Sequence, residues 1–207
     1  MKILIATHNL AKLKRYNKIL GLIDNIEIVS LADINISEKV EENYATNTEN
    51  ALHKARIYGE LSDLITVAAD EALMTNFLPD NEQPGVYARR FSADKTELTD
   101  DEVIDVWHKI FELYPQPDKQ FIWSFAVAFY NPKTKSSGVQ CVEQISYTSR
   151  YFSTILHPGY PMSSFLSSEK DGKPYTEMTD AENESTDIKN FANFVSVFKR
   201  WLEQNLS

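Results

Sequence analysis

Lys2-Ile3-Leu4-Ile5-Ala6-Thr7-His8-Asn9-Leu10-Ala11-Lys12-Leu13 opens the chain after Met1, and its pattern changes twice within those residues. Lys2 to Ala6 is an apolar run of the length of a buried strand. Thr7-His8-Asn9 is a polar turn, with Asn9 suited to cap a helix. Leu10, Leu13, Tyr16, Ile19 and Leu20 then recur at helical spacing, on one face. Strand, turn and helix in this order place a helix N-terminus at the carboxyl end of a strand. The first N–H groups of a helix lack intrahelical partners and its dipole is positive there, so such an end attracts anions. Thr7 and Asn9 add short polar side chains, and Lys12 lies in the first helical turn, near where a phosphate would sit. The stretch has no glycine, so it is neither a P-loop nor a dinucleotide-binding fingerprint.

From this unit the reading extends along the chain. Ile26 to Ser30 is predicted as a second strand. Glu41 to Asn47 is an acidic, amide-rich loop. Asn47 or Thr48 is expected to cap a helix to about Gly59, packing through Ala51, Leu52, Ala55 and Tyr58. Leu64 to Ala69 is a β-branched run predicted as a central buried strand, with Asp70 and Glu71 at its carboxyl end, where open α/β sheets gather ligands. If that strand continued, the side chains of Asp70 and Glu71 would point apart. Thr99-Asp100-Asp101-Glu102 opens a helix to Leu113, with acids in its first turn. Phe121 to Tyr130 and Val139 to Phe152 read as an antiparallel hairpin. The last helix, about Thr186 to Leu206, carries the stripe Ile188, Phe191, Val195, Phe198 and Leu202.

The 207 residues are 43% hydrophobic and 25% charged, which suits a soluble protein of one large domain or two closely joined lobes. A net charge of −9 argues against gripping a nucleic-acid backbone, which needs clustered Lys and Arg. It leaves room for one small phosphorylated ligand in a local basic pocket, usually with a divalent metal. Cys141 is the only cysteine, so no intramolecular disulfide forms; Val139 and Val142 beside it suggest a packed thiol. No apolar run approaches the roughly 20 residues that cross a bilayer. There is no secretory signal pattern, so the expected compartment is the cytoplasm.

Three segments in register resemble the inosine/xanthosine triphosphate pyrophosphatase family. Thr7-His8-Asn9-Leu10-Ala11-Lys12 is similar to its opening T-x-N-x-x-K. Glu41-Glu42-Asn43-Tyr44-Ala45-Thr46-Asn47-Thr48-Glu49-Asn50-Ala51-Leu52-His53-Lys54-Ala55 follows E-E-x-x-x-T-x-x-E-N-A-x-x-K-A. Ala69-Asp70-Glu71-Ala72-Leu73 and Pro84-Gly85-Val86-Tyr87-Ala88-Arg89-Arg90-Phe91 resemble D-D-S-G-L and P-G-x-Y-S-A-R-Y. Later in the chain, Asp171-Gly172-Lys173 to Glu177-Met178 resembles G-K-T-x-A-E-L. The aromatic G-F-G-Y-D-P loop is replaced by His157-Pro158-Gly159-Tyr160-Pro161, and S-H-R by Asp187-Ile188-Lys189. Ala69 stands for the first acid of the pair, and Glu71-Ala72 for Ser-Gly.

The resemblance implies an elongated α/β fold: a single domain over 1–207, two-lobed, with a long mixed sheet flanked by helices and a central cleft. It implies hydrolysis of nucleoside triphosphates to monophosphate and pyrophosphate, with Mg²⁺, usually by a homodimer. It also implies a site. Glu42 and Asp70 would hold the metal, Asp70 either in that role or as the base for the attacking water. Lys12 and Lys54 would meet phosphate oxygens, beside Thr7 and Asn9. Arg90 and Lys173 would be further phosphate or base contacts, and Tyr160 would stack a base. Glu71 is a candidate substitute for the acid missing at Ala69. The alternative is a catalytically inactive relative that binds a nucleotide or a partner on the same scaffold. Neither nucleic acid nor membrane is an expected partner.

Overall fold

The computed structural model describes residues 1–90 and 96–205. Phe91 of the third motif and Leu206 of the last helix lie outside the described residues. The elements run β1 Lys2–Ile5, α1 Leu10–Leu20, β2 Glu27–Ser30, α2 Asn47–Ser62, β3 Ile65–Thr75, α3 Asp100–Leu113, β4 Gln120–Asn131, β5 Ser136–Thr148, β6 Leu166–Ser167 and α4 Asp180–Asn205. The six strands form one sheet in the order β2-β1-β3-β4-β5-β6. β1 is parallel to β2 and to β3, while β5 and β6 are antiparallel, so the sheet is mixed. Residues 132–135 join β4 to β5, too short a link for the crossover that parallel strands need. The fold is the α/β class expected from the sequence.

The chain forms two compact units. The first comprises Met1–Glu71, Phe125–Val142 and Glu184–Ser207. Its sheet is covered on both faces. On one face Leu4, Ala6, Val29, Ala68, Ala126 and Tyr130 pack with Ala51, Ala55 and Tyr58 of α2. On the other, Tyr16 of α1 meets Phe191 of α4 edge-on at 5.7 Å, Phe191 meets Phe125, and Phe198 meets Phe129. The second unit, Ala72–Ser124 with Glu143–Asn183, is built on Leu73, Phe77, Trp107, Phe121, Phe165 and their neighbours.

Several boundaries move from their sequence positions, each for a local reason. β3 runs on to Thr75, so Asp70 and Glu71 lie inside the strand and not at its end. It is β1 that stops: Ile5 is level with Val67, the last pairing of β1 with β3. Thr46, not Asn47 or Thr48, caps α2, its Oγ1 accepting the Glu49 N–H at 3.2 Å. α4 begins six residues before Thr186, because Thr179 and Glu182 form a reciprocal pair of cap bonds. Leu10 is 79% exposed, so the apolar face of α1 starts at Leu13; at the first helical position a side chain leans back past the end of the helix. Cys141 is exposed, not packed. Val142 takes the inward position of β5, and the period of two turns Cys141 outward.

Candidate active site

In the order β2-β1-β3, the chain leaves β1 in one direction and returns to its other side. Ligand crevices form at such a switch point. The Thr7–Asn9 turn sits there, held by its own polar atoms. The Thr7 hydroxyl accepts the Asn9 N–H at 3.1 Å, and Asn9 Oδ1 accepts the N–H groups of Ala11 at 2.9 Å and Lys12 at 3.2 Å. The cap uses the Asn9 oxygen and leaves its amide nitrogen as the donor.

Asp70 projects from the α2 face of β3 and is buried. Lys54 reaches it from α2, with Nζ 3.3 Å from Asp70 Oδ1, 2.8 Å from Glu42 Oε1 and 2.7 Å from the Ala69 carbonyl. Asn50, one helical turn before Lys54, donates to Asp70 Oδ2 at 3.1 Å. Two carboxylates from separate segments thus share one buried ammonium. Burial pushes the Asp70 carboxyl above its ordinary value; Lys54 pulls it back, Glu42 pushes it further, and Lys12 and Asn50 pull it down, for a net rise. Burial works against the Lys54 charge as well, but Asp70 and Glu42 together outweigh it and its pKa rises. Lys54 is therefore a permanent cation between two acids.

Glu71 faces the other side of the sheet, as strand alternation requires. Its Oε1 lies 3.3 Å from Lys12 Nζ and 3.8 Å from Arg15 Nη1. Arg15 Nε is 3.3 Å from Asp187 Oδ1, and the guanidinium lies over the Phe125 ring. Two positions that depart from the resembled motifs, Glu71 and Asp187, thus meet at one arginine. Burial raises the Asp187 carboxyl and Arg15 lowers it, for a net rise. Glu71 lies on the same face of β3 as Ala69, which precedes it by two residues, and its carboxylate is bound into this network.

The expected site residues therefore divide. Glu42 and Asp70 each bond Lys54 directly. Lys12, Thr7 and Asn9 line the adjoining helix end, with the Lys12 charge felt at Asp70. Arg90, Tyr160 and Lys173 belong to the second unit. There the Arg90 N–H donates to the Tyr87 carbonyl and the Tyr160 N–H to the His157 carbonyl, while Lys173 pairs with Glu182 at 3.0 Å. Sequence reasoning missed Asn50, although it stands in the quoted E-N-A motif on the same helical face as Lys54. It also missed Arg15, one turn after Lys12. Among the described residues, no three His, Cys, Asp or Glu side chains converge as a metal cage, and no helix is long and apolar enough to cross a membrane.

The sequence model of the Ham1 family matches residues 3–193. The dITP/XTP pyrophosphatase of Thermoanaerobacter sp. (strain X514) is 42% identical over 100 residues, 48% of this chain and 49% of that protein. The dITP/XTP pyrophosphatase of Bacillus anthracis is 32% identical over 130 residues, 62% of each chain. The chain spans about half the length of the curated relatives it matches. Among solved structures, a HAM1 protein from Coxiella burnetii superposes with a TM-score of 0.73 at 20% identity, covering 97% of this chain and 99% of that one. A nucleoside-triphosphatase / dITP/XTP pyrophosphatase from Mycobacterium abscessus gives 0.64 at 24% identity, covering 93% and 96%. These two likenesses show the fold.

Proposed function

We infer the activity from one premise: the chain belongs to the Ham1 family. It hydrolyses nucleoside triphosphates to monophosphate and pyrophosphate, with non-standard purine nucleotides such as ITP, XTP or their deoxy forms as the substrate class. The observation that supports this most is the meeting of Glu42 and Asp70 on the Lys54 ammonium, beside the N-terminus of α1. A divalent cation fits this donor set. Two carboxylates close enough to share an ammonium can share a metal ion, and Mg²⁺ takes one or two carboxylates while keeping waters and substrate phosphates as its other ligands. When bound, it supplies charge neutralisation on the phosphate oxygens.

The rest falls to the chain's own residues. Lys12 and Lys54 are point charges for phosphate oxygens, and the α1 N-terminus with Thr7 and the Asn9 amide donates to the polyanion. Asp70, pushed up by burial yet held by Lys54 and Asn50, is the base that takes a proton from the attacking water. Fixed charges of this kind supply much of the stabilisation of a phosphoryl transition state. Arg90, Tyr160 and Lys173 are proposed as further substrate contacts. The second reading, a nucleotide binder without turnover, draws on Ala69 in place of an acid and on Lys54 already bonded to both carboxylates. A panel of ribo- and deoxynucleoside triphosphates with Mg²⁺, read for pyrophosphate, decides between them: turnover lost in Asp70→Asn supports hydrolysis, and nucleotide-dependent thermal stabilisation without pyrophosphate supports the binder.

A further inference from the structure

Residues 36–43 carry Glu42 but form no helix or strand. Their position is set from outside by α2. Asn50, Lys54 and Tyr58 are spaced four apart and lie along one face of that helix. Each grips the passing segment, in reverse order along the chain. The Tyr58 hydroxyl donates to the Glu38 carbonyl at 2.8 Å and accepts the Val40 N–H at 3.2 Å. Lys54 donates to Glu42 at 2.8 Å, and Asn50 Oδ1 accepts the Tyr44 N–H at 3.1 Å. The strap 38–44 therefore runs antiparallel to α2, pinned at nearly every second residue.

His8 joins the last pin. Its Nε2 lies 3.1 Å from the Glu38 carbonyl and 3.3 Å from the Tyr58 hydroxyl. A carbonyl oxygen only accepts, so Nε2 carries the proton. Tyr58 is buried and Val40 packs against the same core. Burial also raises the Tyr58 phenol, which keeps its proton for Glu38.

We propose that Tyr58 and His8 are positioning residues that fix the register of the 38–44 strap on α2, and so hold Glu42 where it meets Lys54 beside Asp70. Through them the Thr7–Asn9 turn and the Glu42 segment become one mechanical unit. Neither side chain touches the reacting atoms. The proposal rests on the pyrophosphatase reading only for the cation that Glu42 serves.

Tyr58→Phe removes one hydroxyl and keeps the ring; His8→Ala removes an exposed side chain. Two quantities are read for each: amide hydrogen exchange at Val40 and Tyr44, and the Mg²⁺ concentration giving half-maximal pyrophosphate release, with kcat at saturating Mg²⁺. In Tyr58→Phe, exchange at Val40 is expected to rise roughly three- to tenfold, the range of one net hydrogen bond. The half-saturating Mg²⁺ concentration rises with it while kcat stays unchanged, and His8→Ala shifts both quantities in the same direction by less. A fold-stabilising role alone lowers the melting temperature but leaves the Mg²⁺ half-point in place. That result, or wild-type exchange at Val40, overturns the proposal. If the wild type releases no pyrophosphate, the pyrophosphatase reading fails by itself. Exchange and Mg²⁺ binding by calorimetry then decide the pin, with the same shifts expected and their absence overturning it.

Discussion

Asp70 and Lys54 each have a polar requirement that the other meets, and the order of their influences gives a test with opposite signs. Lys54 lowers the Asp70 pKa and Glu42 raises it, against a background of burial that raises it most. The carboxyl is therefore expected to titrate above the ordinary value of about 3.9. Lys54→Met removes a lowering influence, so the Asp70 titration moves to higher pH. Glu42→Gln removes a raising one, so it moves to lower pH. Carboxyl ¹³C NMR across the acid range reads both; shifts in the same direction would contradict the pairing. On the proposed reading of Asp70 as the base, which must be ionised to accept a proton, the acid limb of kcat/KM in the wild type is expected to follow the same upward shift. Arg15 carries a related expectation. Arg15→Ala leaves Asp187 without its cation and Glu71 with Lys12 alone, and should cost about 1–3 kcal/mol, between an exposed pair and a buried one that loses a partner. Denaturant unfolding measures it, and a loss below about 1 kcal/mol, the ordinary worth of an exposed pair, would show the network to be solvated.

Elements were legible where a single period ran unbroken. β1, α1, β2, α3, β4 and β5 lie within a few residues of their sequence positions, because each has a clear apolar pattern and a capping or turn signal at its ends. Failures occurred where the signal lay in side-chain bonds or in a neighbour. Thr179 and Glu182 start α4 through two reciprocal bonds that an apolar stripe does not register. The length of β3 depends on its neighbours: residues 65–70 are buried whether or not the strand continues, so hydrophobicity alone places the end too early. Close contacts between elements leave no pattern either. α2 approaches β4 through Gly59, where an added Cβ would stand 2.7 Å from Tyr130 Cδ1. Gly59→Ala should therefore destabilise by about 1–3 kcal/mol through overpacking, although in an open helix alanine would gain about 1 kcal/mol. A more stable variant in urea unfolding would contradict that contact.

Across the whole chain, the motifs identified the Glu42, Lys54 and Asp70 cluster more fully than the groups around it. Glu42 and Lys54 were named from one motif and Asp70 from another, and both acids meet the Lys54 ammonium, because a motif spaced over a helix and a strand carries its geometry with it. The Arg15–Glu71–Asp187 network was invisible, since it joins α1, β3 and α4 through residues far apart in the chain. Within a chain of net charge −9, Lys12 and Arg15 pair with Glu71 on one side of the sheet and Lys54 with Asp70 on the other. The decisive assay incubates the purified protein with dITP, XTP and the standard triphosphates in Mg²⁺ and resolves the products by ³¹P NMR. Pyrophosphate and monophosphate are expected in equal amounts from at least one of them, with the rate falling roughly 10²–10⁴-fold in folded Asp70→Asn. Absence of turnover with every nucleotide, or an equal rate in the variant, would contradict hydrolysis at this site.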